Sequence, residues 1–422
     1  MGLREYLLSR KRETYQKDDF DRFLKKIKFS YNIPSIHIAG SNGKGSTATY
    51  ILYIYTYAGY KVGLFTSPYN VSPTEMVRIN NVPISEDKYQ KYLNEYKKEF
   101  EKFGISEFEI ETFIAFKCFE DEKCDIAVIE CGLGGEYDAT NIFTPILSII
   151  TSISLEHTSS LGKSLSEIAL HKAGIIKEEV PILVDRNLDE EALNVITDVA
   201  KENDAPIKLV QLYNFEKIME DGYHFTYGTL DDLVIKTKAK YSLKDASFAI
   251  ESTRILEDKY HVSENALRDG LKNMYIQARF EIKKENPYII IDGGHNPEGI
   301  KALIEDVELL TRGHPISIVF ACFNDKNIQT MLSDLSVLSS DITLTTFDHP
   351  RARQKEEYFL YLDEYKFLED HTEVIKQIIS EKPENNILIC GSLAFAYLVS
   401  DEFNNNEYKE NNPCLEVNTV KN

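Results

Sequence analysis

The segment of the chain with the clearest chemical meaning is a glycine-rich turn, GSNGKGST, at residues 40–47. It follows a short apolar run, Ile36–Ala39, and precedes a helical pattern. Glycines at such a turn let backbone N–H groups surround phosphate oxygens, and the helix N-terminus adds a partial positive charge. Lys44 would reach the terminal phosphates of a nucleotide, and a hydroxyl one turn into the helix would bind Mg²⁺. The turn therefore predicts a nucleotide phosphate site.

The spacing of this turn differs from that of the common phosphate-binding loop. That loop places Lys directly before Ser or Thr, whereas here Gly45 separates Lys44 from Ser46 and gives the pattern GxxGKG[ST]. A purely structural turn between a strand and a helix is the alternative interpretation. The lysine and the paired hydroxyls favour nucleotide binding. The predicted binding residues of the turn are Asn42, Gly43, Lys44, Gly45, Ser46 and Thr47.

Two further polar residues follow predicted buried strands. Glu130 ends the apolar run that begins at Ile126, and His157 follows the run Pro145–Ser154. In open parallel sheets, ligands bind beyond the carboxyl ends of the strands, so we expect both side chains near the glycine-rich turn. A carboxylate is the hard oxygen ligand that Mg²⁺ prefers, and we interpret His157 as a metal ligand too. A turn-capping glutamate and a structural histidine are the alternatives.

These side chains need a sheet to position them, and the sequence predicts one. Short β-branched apolar runs alternate with longer helical patterns, which is typical of crossover units in a mostly parallel sheet. Residues 207–236 differ, because aromatic residues and turn residues alternate there, and they predict a small antiparallel section. The predicted strands are 36–39, 126–129, 146–153 and 182–184, with helices at 46–58 and 245–256 and a helical stretch through 168 and 175.

A second, smaller α/β domain is predicted towards the C-terminus. The polar segment 282–287 ends in proline and is interpreted as a linker. The polar, Asn-rich tail from residue 403 is predicted to be frayed. The predicted strands of this domain are 288–291, 316–320, 342–346 and 387–390, with helices from Pro297 and at 328–338.

Composition excludes several classes of protein. The chain has 422 residues, 43% hydrophobic and 27% charged, which is ordinary globular usage and not that of a collagenous or disordered protein. Its 48 basic and 68 acidic residues give a net charge of −20, which argues against general binding to nucleic acid or to membrane surfaces. The six cysteines form no CxxC pair and predict reduced, packed thiols. Without a signal-peptide core or a long apolar run, we expect a cytoplasmic protein.

Several segments, taken in order, resemble the folylpolyglutamate synthase/dihydrofolate synthase family of the Mur ligase superfamily. The resemblance extends from about residue 35 to residue 395. It implies a mostly parallel-sheet P-loop ATPase domain at 1–280, the ATP-binding Mur-ligase-like central domain, followed by a smaller Rossmann-like α/β domain at 281–422 of the glutamate-ligase type. The matching segments are GSNGKGS (40–46), TSPYNVSPTEMVRIN (66–80), ETF (111–113), IECGLGGEYDATN (129–141), SLEHTSSLG (154–162), HKAGIIK (171–177), QARFE (277–281) and DGGHNP (292–297).

The same resemblance implies a reaction and its partners. The implied enzyme is an ATP-dependent ligase that joins L-glutamate to a folate-type carboxylate through an acyl phosphate and releases ADP and phosphate. Its substrates are then ATP, L-glutamate and a folate or pteroate derivative, with two Mg²⁺ ions as cofactors. We expect a monomer without nucleic-acid or membrane partners, in which the two domains close over the substrates.

In the first domain, the resemblance implies a role for each matching residue. Ser46 and Glu130 correspond to ligands of the first Mg²⁺, and His157 corresponds to a ligand of the second. Lys172 corresponds to a lysine that becomes carbamylated, which would supply oxygen ligands in place of an amine. Lys44, Lys172 and His157 together are the implied catalytic residues.

In the second domain, the resemblance implies three contacts to the nucleotide. Arg279 corresponds to a linker arginine that reaches ATP, and Asp292 and His295 correspond to residues that close over it. A structural alternative exists for this last segment, because Asn296 and Pro297 are typical of the first positions of a helix. The two interpretations are compatible.

The chain departs from the family pattern at some positions. Tyr69 replaces a histidine of the family, Glu136 replaces an arginine, and the segment 241–245 lacks the usual His-Gln and Asn. An anionic Glu136 would repel an anionic substrate. Two alternatives therefore stay open: a Mur-ligase-like amide ligase with a non-folate acyl substrate, and a nucleotide-binding paralogue without catalytic activity.

Overall fold

The computed structural model describes residues 3–11, 17–211, 213–405 and 408. The chain divides into two compact units, one that runs to Lys236 and includes Ser242–Tyr275, and a second made of Thr237–Tyr241 and the residues from Ile276 onward. The end of the predicted frayed tail, with Cys414, lies outside the described residues. No helix in the described ranges is both long enough and apolar enough to cross a membrane.

The first unit is built on a sheet of eight strands. They are β1 (Ser35–Ala39), β2 (Val62–Phe65), β3 (Val77–Ile79), β4 (Val82–Pro83), β5 (Ile126–Glu130), β6 (Leu147–Ile150), β7 (Ile182–Val184) and β8 (Ile207–Leu209). Their order is β4-β3-β2-β5-β1-β6-β7-β8, and all neighbours are parallel except those that involve β3 and β4. The central strands are buried along their whole length, as expected for β-branched runs in a sheet covered on both faces. The predicted mostly parallel α/β fold is confirmed.

Helices cover the sheet of the first unit. They are α1 (Leu3–Ser9), α2 (Lys17–Ile27), α3 (Lys44–Tyr57), α4 (Glu86–Phe103), α5 (Glu107–Glu122), α6 (Thr158–Leu161), α7 (Leu165–Ala173), α8 (Glu190–Glu202), α9 (Tyr241–Leu256) and α10 (Glu264–Asn273), with a short 3-10 helix at Pro73–Met76. Helix α3 is apolar on most sides because it packs against β2, β5 and α10. It therefore holds the glycine-rich turn on a rigid support.

The predicted antiparallel section is confirmed over part of its range. It is a three-stranded sheet of β9 (Phe215–Met219), β10 (Gly222–Tyr227) and β11 (Leu230–Ile235). Residues 207–209 do not belong to it, so that boundary was wrong. They form β8, which pairs in parallel with β7 because the α8 crossover returns the chain to the edge of the main sheet.

The second unit has its own six-stranded sheet. Its strands are β12 (Glu281–Lys284), β13 (Ile289–Ile291), β14 (Ile316–Phe320), β15 (Ile342–Thr346), β16 (Lys366–Asp370) and β17 (Asn386–Cys390). Its helices are α11 (Pro297–Thr311), α12 (Ile328–Leu338), α13 (His371–Glu381) and α14 (Leu393–Asn404), with a 3-10 helix at Lys355–Tyr361. The strand order is β12-β13-β17-β14-β15-β16, and only β12 is antiparallel to its neighbour.

The predicted linker at 282–287 is wrong. The first half of this segment, residues 282–284, belongs to β12, in which Ile282 pairs with Ile290. Its polar residues do not face solvent alone, because Lys283 is buried and its ammonium group donates to a Glu281 carboxylate oxygen at 2.7 Å and to the Asn404 side-chain oxygen at 2.8 Å. The polar composition suggested a linker, but these residues form a strand because the charge of the buried Lys283 is paired inside the fold.

Candidate nucleotide and metal site

The glycine-rich turn lies at the carboxyl edge of the main sheet, where the sequence predicted it. Ile38 of β1 is in register with Glu130 of β5, and Ala39 is in register with Ile150 of β6. The turn therefore emerges between the ends of β5 and β6, at the point where neighbouring strands connect in opposite directions and ligands bind in open sheets. Gly43, with φ of 85°, caps α3 directly before Lys44.

Residues that follow β6 hold the turn in place. The Asn42 N–H donates to the Ser152 hydroxyl at 2.8 Å, and the Thr151 hydroxyl donates to the Asn42 carbonyl at 2.7 Å. The Ser41 N–H donates to the Ser152 carbonyl at 2.9 Å. These contacts explain why β6 ends at Ile150, three residues earlier than predicted, since the next residues leave the sheet to bond the turn. The structure thus fixes the backbone that would surround phosphates.

Gly43 is required by its conformation and by its neighbour. A Cβ at this position would overlap Oδ1 of Asp245, which is buried at the start of α9. The same carboxylate oxygen accepts a bond of 3.4 Å from the Thr47 hydroxyl in the first turn of α3. Asp245 was identified from the sequence only as a departure from the family pattern, and the structure places it against the turn.

Two lysines converge on a single backbone carbonyl at the start of the turn. The Lys44 ammonium group donates to the Gly40 carbonyl at 2.9 Å, and the Lys172 ammonium group donates to the same oxygen at 2.9 Å. Lys172, on α7, is only 1% exposed and also pairs with Glu156 at 3.1 Å. The structure therefore brings Lys44 and Lys172, both named from the resemblance, to the same oxygen.

Burial and neighbouring charges shift the pKa values of Lys172 and Glu156. Burial, opposed by the charge of Glu156 and assisted by that of Lys44, lowers the pKa of Lys172 to about 8. Burial raises the pKa of Glu156, but Lys172, Lys44 and His157 outweigh it and bring that pKa to about 2. Near neutral pH a fraction of Lys172 is therefore unprotonated, and only that form carries the lone pair needed to act as a nucleophile.

Glu130 lies against the start of α3. Its side chain is 5% exposed, and its Oε2 atom accepts a bond of 3.1 Å from the Ser67 N–H. A Cβ at Gly45 would lie 3.3 Å from the same oxygen, so the carboxylate is beside the residue that precedes the buried Ser46. A carboxylate and a hydroxyl at a phosphate turn suit Mg²⁺, which is held by one or two protein oxygens together with substrate phosphates.

In the part of the chain that the structure describes, no three His, Cys, Asp or Glu side chains converge as in an all-protein metal centre. His157, the predicted second ligand, is exposed and lies in the left-handed region with φ of 47° directly before α6. It directly follows Glu156, which pairs with Lys172 at 3.1 Å.

Asp138 and His37, which the sequence did not single out, form hydrogen bonds that support the segment after Glu130. Asp138 accepts from the Leu133 N–H at 2.8 Å and from the Thr140 hydroxyl at 2.6 Å, and His37 bonds the same hydroxyl at 2.8 Å. This network holds the segment that follows Glu130. Asp138 lies within the matching segment IECGLGGEYDATN, but nothing in its spacing indicated its contacts.

Glu156 is the missed residue closest to the predicted chemistry. It directly precedes His157, so its position at the end of a strand was the available signal. Its pairing with Lys172 across 16 residues depends on how α7 packs and could not be inferred from spacing.

The predicted second-domain residues have structural partners inside the second unit. Asp292 is buried, and its Oδ2 atom accepts from the Tyr241 hydroxyl at 2.7 Å and from the Phe280 N–H at 2.8 Å. His295 bonds the Gly293 carbonyl through Nδ1 at 2.9 Å. The bonds of Asp292 thus join the DGGHNP segment to Tyr241 and Phe280.

The alternative interpretation of this segment as a helix start is confirmed. The Asn296 side chain caps α11 by accepting from the Gly299 N–H at 2.8 Å, and Pro297 occupies the first helical position. Arg279 lies between Ala278 and Phe280, which both have positive φ, 60° and 46°.

Comparisons with known proteins identify the family of this chain. Residues 278–393 match the family model for the Mur ligase glutamate ligase domain. The dihydrofolate synthase/folylpolyglutamate synthase of Bacillus subtilis is 36% identical over 389 residues, which cover 87% of this chain and 89% of that protein. The folylpolyglutamate synthase of Lacticaseibacillus casei is 29% identical over 379 residues, which cover 86% of this chain and 88% of that protein.

Solved structures of related proteins have the same fold. A Mycobacterium tuberculosis folylpolyglutamate synthase complexed with ADP and AMPPCP has a TM-score of 0.86 at 25% identity and covers 92% of this chain and 95% of its own. A folylpolyglutamate synthase complex with AMPPCP and folate has a TM-score of 0.84 at 28% identity and covers 94% of this chain and 97% of its own. With a phosphate turn, a converging lysine pair and a relative this similar over most of both sequences, the chain belongs to the folylpolyglutamate synthase/dihydrofolate synthase family of ATP-dependent Mur-type ligases.

Proposed function

We propose that this protein uses ATP to join L-glutamate to the carboxylate of a folate or pteroate derivative. The observation that carries the proposal is the convergence of Lys44 and Lys172 on the Gly40 carbonyl, beside a phosphate turn that residues after β6 hold rigidly. The relatives that bind ADP, AMPPCP and folate support both substrates. We assign ATP binding to residues 1–280 and the glutamate ligase domain to residues 281–422, as the match at 278–393 supports.

The proposed reaction has two steps, phosphorylation of the carboxylate and formation of the amide. A carboxylate oxygen of the acyl substrate attacks the γ-phosphorus of ATP, the bond to the bridging oxygen breaks, and ADP leaves. The amine of L-glutamate then attacks the acyl carbon, phosphate leaves with its oxygen, and the amine nitrogen loses a proton. Activation is needed because a free carboxylate is a poor electrophile with a poor leaving group.

The turn residues supply charge stabilisation for the first step. Phosphoryl transfer depends mainly on positioning and on neutralising the charge of the transferred group. We assign this task to Lys44, to the N–H groups of residues 42–47 and to the N-terminus of α3. Because the turn is already bonded to Thr151 and Ser152, little reorganisation is needed when ATP binds.

Magnesium is the proposed metal cofactor. Ser46 and Glu130 would hold one ion and His157 would contribute to a second, in agreement with the oxygen donors near the turn. When bound, Mg²⁺ neutralises charge on the phosphate oxygens.

We further propose that Lys172 is carbamylated in the active enzyme. The unprotonated amine would attack the carbon of CO2, a nitrogen–carbon bond would form, and a proton would leave to solvent. Burial favours this chemistry, since it lowers the pKa of Lys172 to about 8. The ion pair with Glu156 must open first, so Glu156 is assigned the role of positioning this side chain. A nucleotide role for Arg279, Asp292 and His295 stays a prediction from the resemblance.

The test is coupled ADP formation by the purified full chain with MgATP. The expected result is ADP release that requires both L-glutamate and a reduced folate or dihydropteroate, with a product heavier by one glutamyl residue. Lys44→Met should abolish it. Lys201→Met is the matched control, because Lys201 is an exposed lysine on α8 with its side chain 72% exposed. ADP release that does not depend on any folate or pteroate would refute the folate assignment.

A further inference from the structure

A five-residue segment, Thr237–Tyr241, belongs to the second unit although the residues on both sides of it belong to the first. Ala239, in the middle of this segment, is fully buried in the core of the second unit together with Phe280. Next to it, the Lys238 ammonium group pairs with Glu285 at 2.7 Å. The segment is therefore fixed to the second unit both by burial and by charge.

Helix α9 begins where this segment ends. Its first residue is Tyr241, and from Ser242 onward the helix belongs to the first unit. The first N–H groups of a helix have no partner within the helix itself. The Lys240 N–H, directly before α9, donates to Oδ1 of Asp306 at 2.9 Å. Asp306 is 2% exposed and stands on α11, so a buried carboxylate of the second unit holds the start of α9.

The side chain of Tyr241 forms a second tether to the same unit. Its hydroxyl donates to Oδ2 of Asp292 at 2.7 Å. That carboxylate is itself fixed, because it also accepts from the Phe280 N–H at 2.8 Å and from the Gly294 N–H at 2.7 Å. The backbone before α9 and the first side chain of α9 are thus both bonded to rigid acceptors.

One helical turn further on, α9 reaches the glycine-rich turn. Asp245 follows Tyr241 by four residues, which places both on one face of the helix. Its Oδ1 atom accepts from the Thr47 hydroxyl at 3.4 Å and lies 2.4 Å from the position of a Cβ at Gly43. A displacement of the first residue of α9 would therefore move a carboxylate that packs against the phosphate site.

We infer that Tyr241 is a positioning residue for ATP binding, which acts through α9 and holds Asp245 against the glycine-rich turn. Without the hydroxyl bond, only a fraction of the molecules would hold Asp245 in place before the nucleotide arrives. The apparent affinity for the nucleotide then falls in proportion to that fraction. The inference rests on the ATP binding of the proposed function and extends it to a residue outside the turn.

The test compares two tyrosines in the full-length protein by calorimetry with MgATP and by urea unfolding. Tyr92 of α4 is the matched control, because it is 2% exposed and its hydroxyl donates to an Asp121 carboxylate oxygen at 3.0 Å. Tyr241→Phe and Tyr92→Phe each remove one bond from a hydroxyl to a carboxylate, so both should lower the urea midpoint. Only Tyr241→Phe should raise the Kd for MgATP, by about fivefold or more. Equal Kd values in the two variants would overturn the inference.

A second pair of variants tests the other tether and decides the matter if Tyr241→Phe does not fold. Asp306→Ala removes the acceptor of the Lys240 N–H, whereas Asp306→Asn keeps an oxygen at that position. We expect Asp306→Ala to weaken MgATP binding about fivefold or more and Asp306→Asn to stay within about twofold of the wild type. Equal Kd values in these two variants would overturn the inference as well. A wild type that takes up no MgATP would instead refute the proposed function, a result distinct from a binding wild type with unaffected variants.

Discussion

Replacing Gly43 by alanine should separate a local conformational cost from a loss of ATP binding. Gly43 has φ of 85°, and the left-handed region costs a non-glycine residue roughly 1–2 kcal/mol. In addition, the new Cβ would overlap Oδ1 of Asp245. Ordinary van der Waals contact begins at 3.4 Å, so the turn and α9 must move apart by about 1 Å. A misplacement of this size at a reacting group costs about 100-fold in rate.

Gly59, near the other end of α3, is the matched control. Its φ is 91°, close to that of Gly43, but nothing among the described residues lies within 4 Å of a Cβ built there. Gly59→Ala therefore incurs the conformational cost without displacing the turn. The two variants differ in what the new methyl group touches and not in the backbone strain.

Two measurements separate the cost of backbone strain from the effect of displacing the glycine-rich turn. Chemical unfolding should show that Gly59→Ala loses roughly 1–2 kcal/mol of stability and that Gly43→Ala loses at least as much. Calorimetry with MgATP and steady-state kinetics should show that only Gly43→Ala loses affinity, about tenfold or more, with kcat/KM for ATP about 100-fold lower. If Gly43→Ala binds and uses ATP as Gly59→Ala does, the turn does not surround the phosphates and the reasoning is wrong.

Three further predictions follow from individual side chains. Burial raises the pKa of Asp306 from 3.8 to about 7, so the folded protein binds this proton more tightly and stability falls as pH rises between these values. Between pH 5 and pH 8 the free energy of unfolding of the wild type, measured with urea, should fall by about 3 kcal/mol more than that of Asp306→Asn. An equal pH dependence of the two proteins would contradict the assignment. Glu130→Gln should raise the Mg²⁺ concentration for half-maximal activity about tenfold or more, and an unchanged Mg²⁺ titration would remove it from the metal site. Lys172→Met should abolish ligation but retain ATP binding, and added bicarbonate should increase wild-type activity but not that of the variant; a bicarbonate effect in Lys172→Met would locate the modification elsewhere.

The sequence predicted those parts of the site that depend on neighbouring residues along the chain. Gly43 and Lys44 stand at a strand-to-helix turn, so both their conformation and their chemistry follow from local pattern. Glu130 was found because parallel strands end at one edge of a sheet, which brings their last residues together without knowledge of the side-chain packing.

The remaining features depend on contacts between distant segments. Nothing in the local pattern shows that Thr151 leaves β6 to bond Asn42, or that Glu156 pairs with Lys172. The linker interpretation of 282–287 failed for the same reason, because the partner of Lys283 is a residue of α14. Glu111 was visible only as part of a matching segment, and the lack of a hydrogen-bond partner for its Oε1 atom among the described residues is a property of the folded chain.

The most direct test of the account is mass spectrometry of the products formed by the purified protein from MgATP, L-glutamate and tetrahydrofolate or dihydropteroate. The account predicts a folate that is heavier by one glutamyl residue, formed in equal amount with ADP and absent with Lys44→Met. ADP formed without a glutamylated product, or a product that is unaffected by Lys44→Met, would contradict it.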